Sequence, residues 1–341
     1  MAMTLPPLSV VVIGRNEGQR LVRCLESIAA IRSAHPELEV IYVDSASSDG
    51  SRETATRLGA KTIALEASHP TAALGRNAGW KQASAEYVLF LDGDTILHPD
   101  FPERAFESLL ADPAIAAVWG HRREIHPEAS LYNRILDLDW IYPPGPAEFC
   151  GGDVLMRRSA LEAAGGYDGT LIAGEEPELC RRMRALGYQI LHIDAPMTGH
   201  DLEMRRFRQY WKRALRAGFA YAQVSSRFRG TGDPFWQSDR IANLRRGGFW
   251  ALSFLATLVL SAVLRSVLPA AAWIALLLVL SLRSAWKARW KSASAVTLLL
   301  YGLHSQLQQV PICIGQLSYD LDPRKGRQKK LIEYKGASSL P

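Results

Sequence analysis

The sequence predicts an α/β domain with a mostly parallel sheet, followed by C-terminal membrane helices. Short β-branched runs alternate with amphipathic helical stretches over residues 8–91, aspartates stand at the ends of two of those runs, and residues 247–282 are almost continuously apolar. Alternating strands and helices build a parallel sheet with covered faces. Apolar stretches of that length, one after another, are unusual in a soluble core.

The elements follow in order. Residues 8–13 (LSVVVI) read as a buried strand, being β-branched without alternation. Residues 16–31 read as a helix, with Leu21, Cys24, Leu25 and Ile28 at helical spacing. Residues 40–43 are the second strand and end at Asp44; residues 48–58 are a helix with Ser48 or Asp49 as its cap. Strand 61–65, helix 75–84 and strand 87–91 follow, the last closed by Asp92. Ligands bind open α/β sheets at the carboxyl ends of strands, so Asp44 and Asp92 mark the candidate binding edge. Beyond them, 114–119 and 152–156 are expected strands, 143–146 a loop, 177–186 a helix opening on Pro177, and 188–193 a last strand. Residues 202–227 form a long basic helical stretch with a break expected near Gly218.

With 341 residues, 48% of them hydrophobic, the chain has room for one large domain and a smaller unit, placed at 1–230 and 231–341. The net charge is +6, and the basic residues gather around the apolar segments. That distribution suits an anionic membrane surface and not nucleic acid. The four cysteines form no CxxC pair and read as unpaired thiols in a reducing compartment. The N-terminus has no basic region before an apolar run, so the polar domain is expected on the cytoplasmic face of the inner membrane.

Residues 249–264 and 267–282 are apolar, with Arg265 and Pro269 near the junction, which predicts a transmembrane hairpin over about 248–283. Arg245 and Arg246 before it, and Arg283, Lys287, Arg289 and Lys291 after it, place both outer flanks in the cytoplasm. Residues 293–317 are long enough to span but carry Ser305, Gln306, Gln308 and Gln309, and a basic tail follows. An interfacial or re-entrant helix is the expectation there rather than a third span. Arg205, Arg206, Arg208, Lys212, Arg213 and Arg216, interleaved with Phe207 and Trp211, give the preceding helix the character of a lipid-interface helix.

The chemistry centres on FLDGDT at 90–95, where two carboxylates sit one residue apart beyond an apolar strand. Mn²⁺ and Mg²⁺ take hard oxygen ligands, and a nucleotide diphosphate supplies the remaining oxygens. Alone, the motif also suits a solvated loop.

Its neighbours change that. Arg15-Asn16-Glu17 after the first strand, VDSASSDG at 43–50, GRNAG at 75–79, GGDVLMRRS at 151–159, GGYD at 165–168 and GEEPELCRR at 174–182 come in an order and spacing that resembles the family-two, inverting glycosyltransferases of GT-A (Rossmann-like) fold, membrane-anchored bacterial type. The resemblance covers Ser9 to Arg229. It implies a nucleotide-sugar site in which Arg15, Asn16 and Glu17 contact the nucleoside, Asp44 holds the base and Arg76 approaches the uracil edge or diphosphate. Asp92 would hold the ribose, with Gly93 beside it, and Gly152 would flank the donor sugar and acceptor. Asp94 and His200 would bind Mn²⁺ or Mg²⁺. Glu176 matches the family's general base, with Glu in place of the usual Asp, and Glu175 would orient its loop. Asp153 stands where the family has Asn and receives no role.

The resemblance implies one in-line displacement that transfers a sugar, from a UDP-sugar first of all, to a lipid-linked saccharide in envelope or exopolysaccharide assembly. A polyprenyl-phosphate acceptor is the nearest alternative. The QxxRW motif of processive synthases is absent at Gln209–Arg213. A dinucleotide-dependent oxidoreductase needs a GxGxxG turn that GRNEG at 14–18 does not supply. A membrane scaffold that binds nucleotide without turnover is the remaining contrast, and the Glu at position 176 is what favours it.

Overall fold

The computed structural model describes residues 6–322 apart from Ser33 and Pro36. The basic tail beyond residue 322 lies outside the described residues. In chain order the elements are β1 (Leu8–Gly14), α1 (Gln19–Ala30), β2 (Glu39–Asp44), α2 (Ser51–Arg57), β3 (Lys61–Ala64), α3 (Ala72–Trp80), β4 (Tyr87–Asp92), β5 (Thr95–Leu97), α4 (Phe101–Ala111), β6 (Ile115–Glu124), α5 (Leu131–Asp137), a 3-10 turn at Leu138–Trp140, β7 (Gly145–Ala147), β8 (Val154–Arg157), α6 (Arg158–Ala163), α7 (Glu175–Ala185) and β9 (Gln189–His200). The C-terminal helices are α8 (Phe207–Arg227), α9 (Gln237–Val263), α10 (Leu268–Lys287), α11 (Ala295–Leu307) and α12 (Gln309–Asp320).

The strands form one mixed sheet ordered β3-β2-β1-β4-β8-β6-β9-β5, with β7 on the edge of β9. The first four are mutually parallel, as their apolar runs predict: every residue of β1 from Leu8 to Val12 is fully buried. Register then aligns the binding edge, for Gly14 pairs with Asp44 and Ile13 with Asp92.

Several boundaries differ from the sequence reading. The short α2 is capped by Gly50 at φ 79°, while Asp49 accepts the Ser51 N–H at 3.0 Å and the Gly18 N–H at 3.0 Å. Helix α7 starts at Glu175, so Pro177 lies inside the first turn, where its missing N–H costs nothing. Strand β9 runs on to His200 because β6 and β5 pair along its far half.

Helix α8 is unbroken at Gly218. The glycine is there for contact: a Cβ on it would stand 2.0 Å from the Ile312 carbonyl oxygen of α12, and one on Gly315 would stand 2.1 Å from the Leu215 oxygen. The two backbones touch through paired glycines. Gly218→Val is therefore expected to destabilise the helical unit by at least about 1–3 kcal/mol. A melting temperature equal to that of the unsubstituted protein would show that the contact is dispensable.

Helices α9 and α10, of 27 and 20 residues, are long and apolar enough to cross a membrane, and their side chains are mostly exposed, unlike those of a soluble core helix. The hairpin is longer than the expected 248–283, since α9 begins at Gln237, and it reverses through Arg265 at φ 46°. Segment 293–317 divides into α11 and α12, of 13 and 12 residues. At 1.5 Å per residue each is about 20 Å long, short of an apolar slab of about 30 Å. Its glutamines face inward: Gln306 donates to Ser284 Oγ at 2.8 Å, and Gln309 is buried with its backbone against Gly247 of α9.

Candidate active site

The nucleotide side is built by two stitched loops. Asn16, at φ 55°, donates its backbone N–H to Ser47 Oγ at 2.9 Å and accepts the Ser48 N–H on its side-chain oxygen at 2.8 Å. Asp44 is buried, accepting from the Tyr42 hydroxyl at 3.1 Å and from the Ser47 N–H at 2.9 Å. Glu17 pairs with Arg20 at 2.9 Å, and its Cγ packs where a Cβ on Gly93 would come within 3.2 Å. Gly93 donates its N–H to the Ile13 carbonyl at 2.8 Å, holding the turn between the two acids against β1. Arg15 stands in the same loop.

Asp92 sits at the end of β4 and is fixed from behind. Its N–H donates to Asp153 Oδ1 at 2.9 Å, and Asp153 also accepts the Thr198 hydroxyl at 2.8 Å. Asp153 is fully buried, and Arg122 reaches both carboxylates, at 3.5 Å to Asp92 and 3.7 Å to Asp153. Desolvation raises the Asp153 carboxyl above its usual range, offset in part by Arg122.

A buried guanidinium joins Asp92 to the candidate base. Arg76, 2% exposed on α3, lies 2.9 Å from Asp92, 2.9 Å from Glu175 and 3.0 Å from Glu176. It faces carboxylates of the protein, so the contact with a donor that the resemblance implies requires those pairs to open. Gly152 packs directly on it; a Cβ there would be 2.3 Å from Arg76 Nη2. Gly174, at φ 81°, turns the chain into α7 and puts Glu175 and Glu176 in its first turn. Burial first, then the Glu175 carboxylate, pushes the Glu176 carboxyl up to about 7 despite Arg76. Glu178 pairs instead with Arg182 at 2.7 Å.

The metal-ligand candidates meet across the β5–β9 pair. Thr95 is in register with His200, Asp201 donates its N–H to the Asp94 carbonyl at 3.0 Å, and His200 Nε2 lies 3.4 Å from Asp94 Oδ2. Both side chains are almost fully buried. Burial, then Arg122, Arg213 and Arg20, hold the imidazole well below its ordinary pKa, so it is neutral with a lone pair to offer. A carboxylate and a neutral imidazole side by side fit a divalent cation that completes its sphere with diphosphate oxygens. Among the described residues no group of three or more His, Cys, Asp or Glu is placed to hold a metal by itself.

Four contributors had no role in the sequence reading: Asp153, Arg122, Glu124 and Trp140. Glu124, buried and raised by desolvation, accepts the Leu202 N–H at 3.0 Å and stands 3.7 Å from His200 Nδ1. Trp140 sets its ring edge-on to His200 at 4.7 Å and lies under Arg122 at 5.1 Å. The signal available was the i, i+2 spacing of Arg122 and Glu124 on a strand extending past Trp119.

Residues 9–163 match the family described as Glycosyl transferase family 2. The chain is similar to Glycosyltransferase AglE of Haloferax volcanii, 26% identical over 257 residues that cover 72% of this chain and 79% of that protein. It is 27% identical over 190 residues to the poly-beta-1,6-N-acetyl-D-glucosamine synthase of Staphylococcus epidermidis, spanning 51% of this chain and 45% of that one. Among solved structures it resembles the mannosyltransferase PcManGT from Pyrobaculum calidifontis, in complex with GDP-Man and Mn²⁺, with TM-score 0.67 over 93% of this chain and 88% of that one. Sequence identity there is 21%, so that likeness is one of fold. Residues 9–163 therefore match a family-two glycosyltransferase domain, within a chain of GT-A-like fold.

Proposed function

We propose that this glycosyltransferase moves a sugar with inversion from a nucleoside-diphosphate sugar, a UDP-sugar first, to a lipid-linked saccharide in envelope or exopolysaccharide assembly. The observation that carries the reading is the Asp92–Arg76–Glu176 bridge, which joins a strand-end carboxylate of the donor side to a carboxyl poised near neutrality. The stitched loops around Asp44 and Asn16 frame a nucleoside. Glu176 removes the proton of the acceptor hydroxyl as its oxygen attacks the anomeric carbon. Asp94 and His200 would hold Mn²⁺ or Mg²⁺, and the bound cation would neutralise charge on the departing diphosphate. Helices α9 and α10 anchor the chain in the inner membrane with the catalytic domain on the cytoplasmic face, where the acceptor's lipid is at hand.

The test uses the full chain in lipid nanodiscs. UDP- and GDP-sugars are supplied in turn with membrane lipid extract, and products are read by mass spectrometry. One hexose added to a lipid-linked saccharide is the expected result; a sugar appearing on a polyprenyl phosphate moves the acceptor, and no transfer from any donor overturns the reading. In calorimetry Mn²⁺ is expected to tighten UDP or GDP binding, and Asp94→Asn to remove that enhancement. Binding that ignores both the cation and the substitution would rule out the metal role.

A further inference from the structure

A short turn beside the metal-ligand candidates is one place where the C-terminal helices reach the site. In the 3-10 turn Leu138–Trp140, Asp139 accepts the Tyr301 hydroxyl at 3.2 Å and stands 3.6 Å from Arg213 Nη1 and 3.6 Å from His304 Nε2. Lys291 donates to the Leu138 carbonyl at 2.8 Å, and the Tyr210 hydroxyl meets His304 Nδ1 at 2.8 Å. Residues from α8, α11 and the segment before α11 thus converge on Leu138 and Asp139 of this turn.

The next residue after Asp139 is Trp140, which touches His200 and Arg122. That contact matters because His200 lacks the usual means of orientation. A metal-binding imidazole is normally aligned by a hydrogen bond from its other nitrogen. Here Nδ1 has no hydrogen-bond partner among the described residues, and Glu124 at 3.7 Å is beyond hydrogen-bond reach. The Trp140 ring packs edge-on against the imidazole and so restricts its rotation. Trp140 in turn is held by a turn whose polar anchors come from the C-terminal helices.

We propose that Asp139 and Trp140 are positioning residues: Tyr301 and His304 of α11, with Arg213 of α8, clamp Asp139, and the clamped turn presses Trp140 against His200 and Arg122. The membrane-end helices thereby set the geometry of the Asp94–His200 side of the site. This rests on His200 being a site residue, as in the proposed function.

The test takes Trp140→Ala, Trp140→Phe, Asp139→Asn and Tyr301→Phe in the full chain in nanodiscs. It measures kcat, donor KM, the Mn²⁺ concentration for half-maximal rate, and melting temperature. Trp140→Ala is expected to raise the half-activating Mn²⁺ concentration by about 10-fold or more, the range for losing a ligand-orienting contact, and to lower kcat. Trp140→Phe, which keeps an aromatic edge, should recover most of that loss. Asp139→Asn should shift the same two quantities in the same direction, and adding Tyr301→Phe to it should cost nothing further, because both act through one contact. Packing alone would change the melting temperature and leave Mn²⁺ activation and kcat in place. Wild-type kcat and Mn²⁺ response in folded Trp140→Ala and Asp139→Asn overturn the proposal. If Asp139→Asn does not fold, Tyr301→Phe alone decides by the same readouts. If the unsubstituted protein works without divalent cations, the metal reading falls by itself; the positioning proposal then stands on a lower kcat at unchanged melting temperature and fails on an unchanged one.

Discussion

Glu176→Gln is expected to lower the transfer rate by about 10²–10⁴-fold, the contribution of a positioned general base, while nucleotide affinity stays near that of the unsubstituted protein. The side chain is 15% exposed, enough to meet an acceptor and dry enough to raise its proton affinity. Glutamine keeps the shape and a hydrogen-bonding oxygen for Arg76, and Arg76 retains Glu175 and Asp92, so the fold should survive. The pH dependence has a definite sign. A base acts only when deprotonated, and this carboxyl is pushed up to about 7, so the rate should fall as pH drops through about 7 and level off above it. Glu176→Asp, one methylene shorter, should keep that acid limb at reduced rate. Full activity in the Gln variant, or a rate flat from pH 5 to pH 8 in the unsubstituted enzyme, would remove Glu176 from the reaction.

Arg76→Met should be the most damaging single change to the fold around the site. It leaves Asp92, Glu175 and Glu176 facing one another without the cation they share. Stripping one partner from a buried ion pair costs about 3–5 kcal/mol; the partial exposure of Asp92, at 28%, relieves some of it. Arg76→Lys should not restore function, since one ammonium cannot present the two-nitrogen fork that reaches Asp92 through Nη2 and both glutamates through Nη1. Loss of the guanidinium also removes the group that lowers the Glu176 carboxyl, so any residual activity should show its acid limb at higher pH. Pairing Arg76→Met with Glu175→Gln should recover part of the melting temperature by removing one stranded charge. A single Arg76→Met variant that melts and turns over like the unsubstituted protein would show that the bridge is incidental. Gly152→Ala is the milder version of this lesion, because its methyl would enter the space of Arg76 Nη2.

The parallel half of the sheet and its two strand-end acids were legible in the linear pattern of residues. Buried parallel strands must be apolar on both faces, so β1, β2 and β4 announce themselves as uninterrupted runs, and Asp44 and Asp92 fall where those runs stop. The apolar length of α9 and α10 was equally plain, because it depends on composition alone. The order of the motifs carried the family. The later, antiparallel half was decided by tertiary structure. The last strand, expected over 188–193, continues through Pro196 and Gly199, residues that disfavour strand, because pairing with β6 and β5 carries it to His200. Gly218 read as a break for the same local reason, yet it marks the place where α12 lies against α8. Arg76 reads in the sequence as a ligand contact, and the three carboxylates from two other segments that enclose it come together only in the folded chain. Asp153, Arg122, Glu124 and Trp140 were invisible as a set because periodicity reports which face of an element is buried. It does not report which distant side chains share that burial, and in a desolvated site those partners decide where each charge and each proton rests.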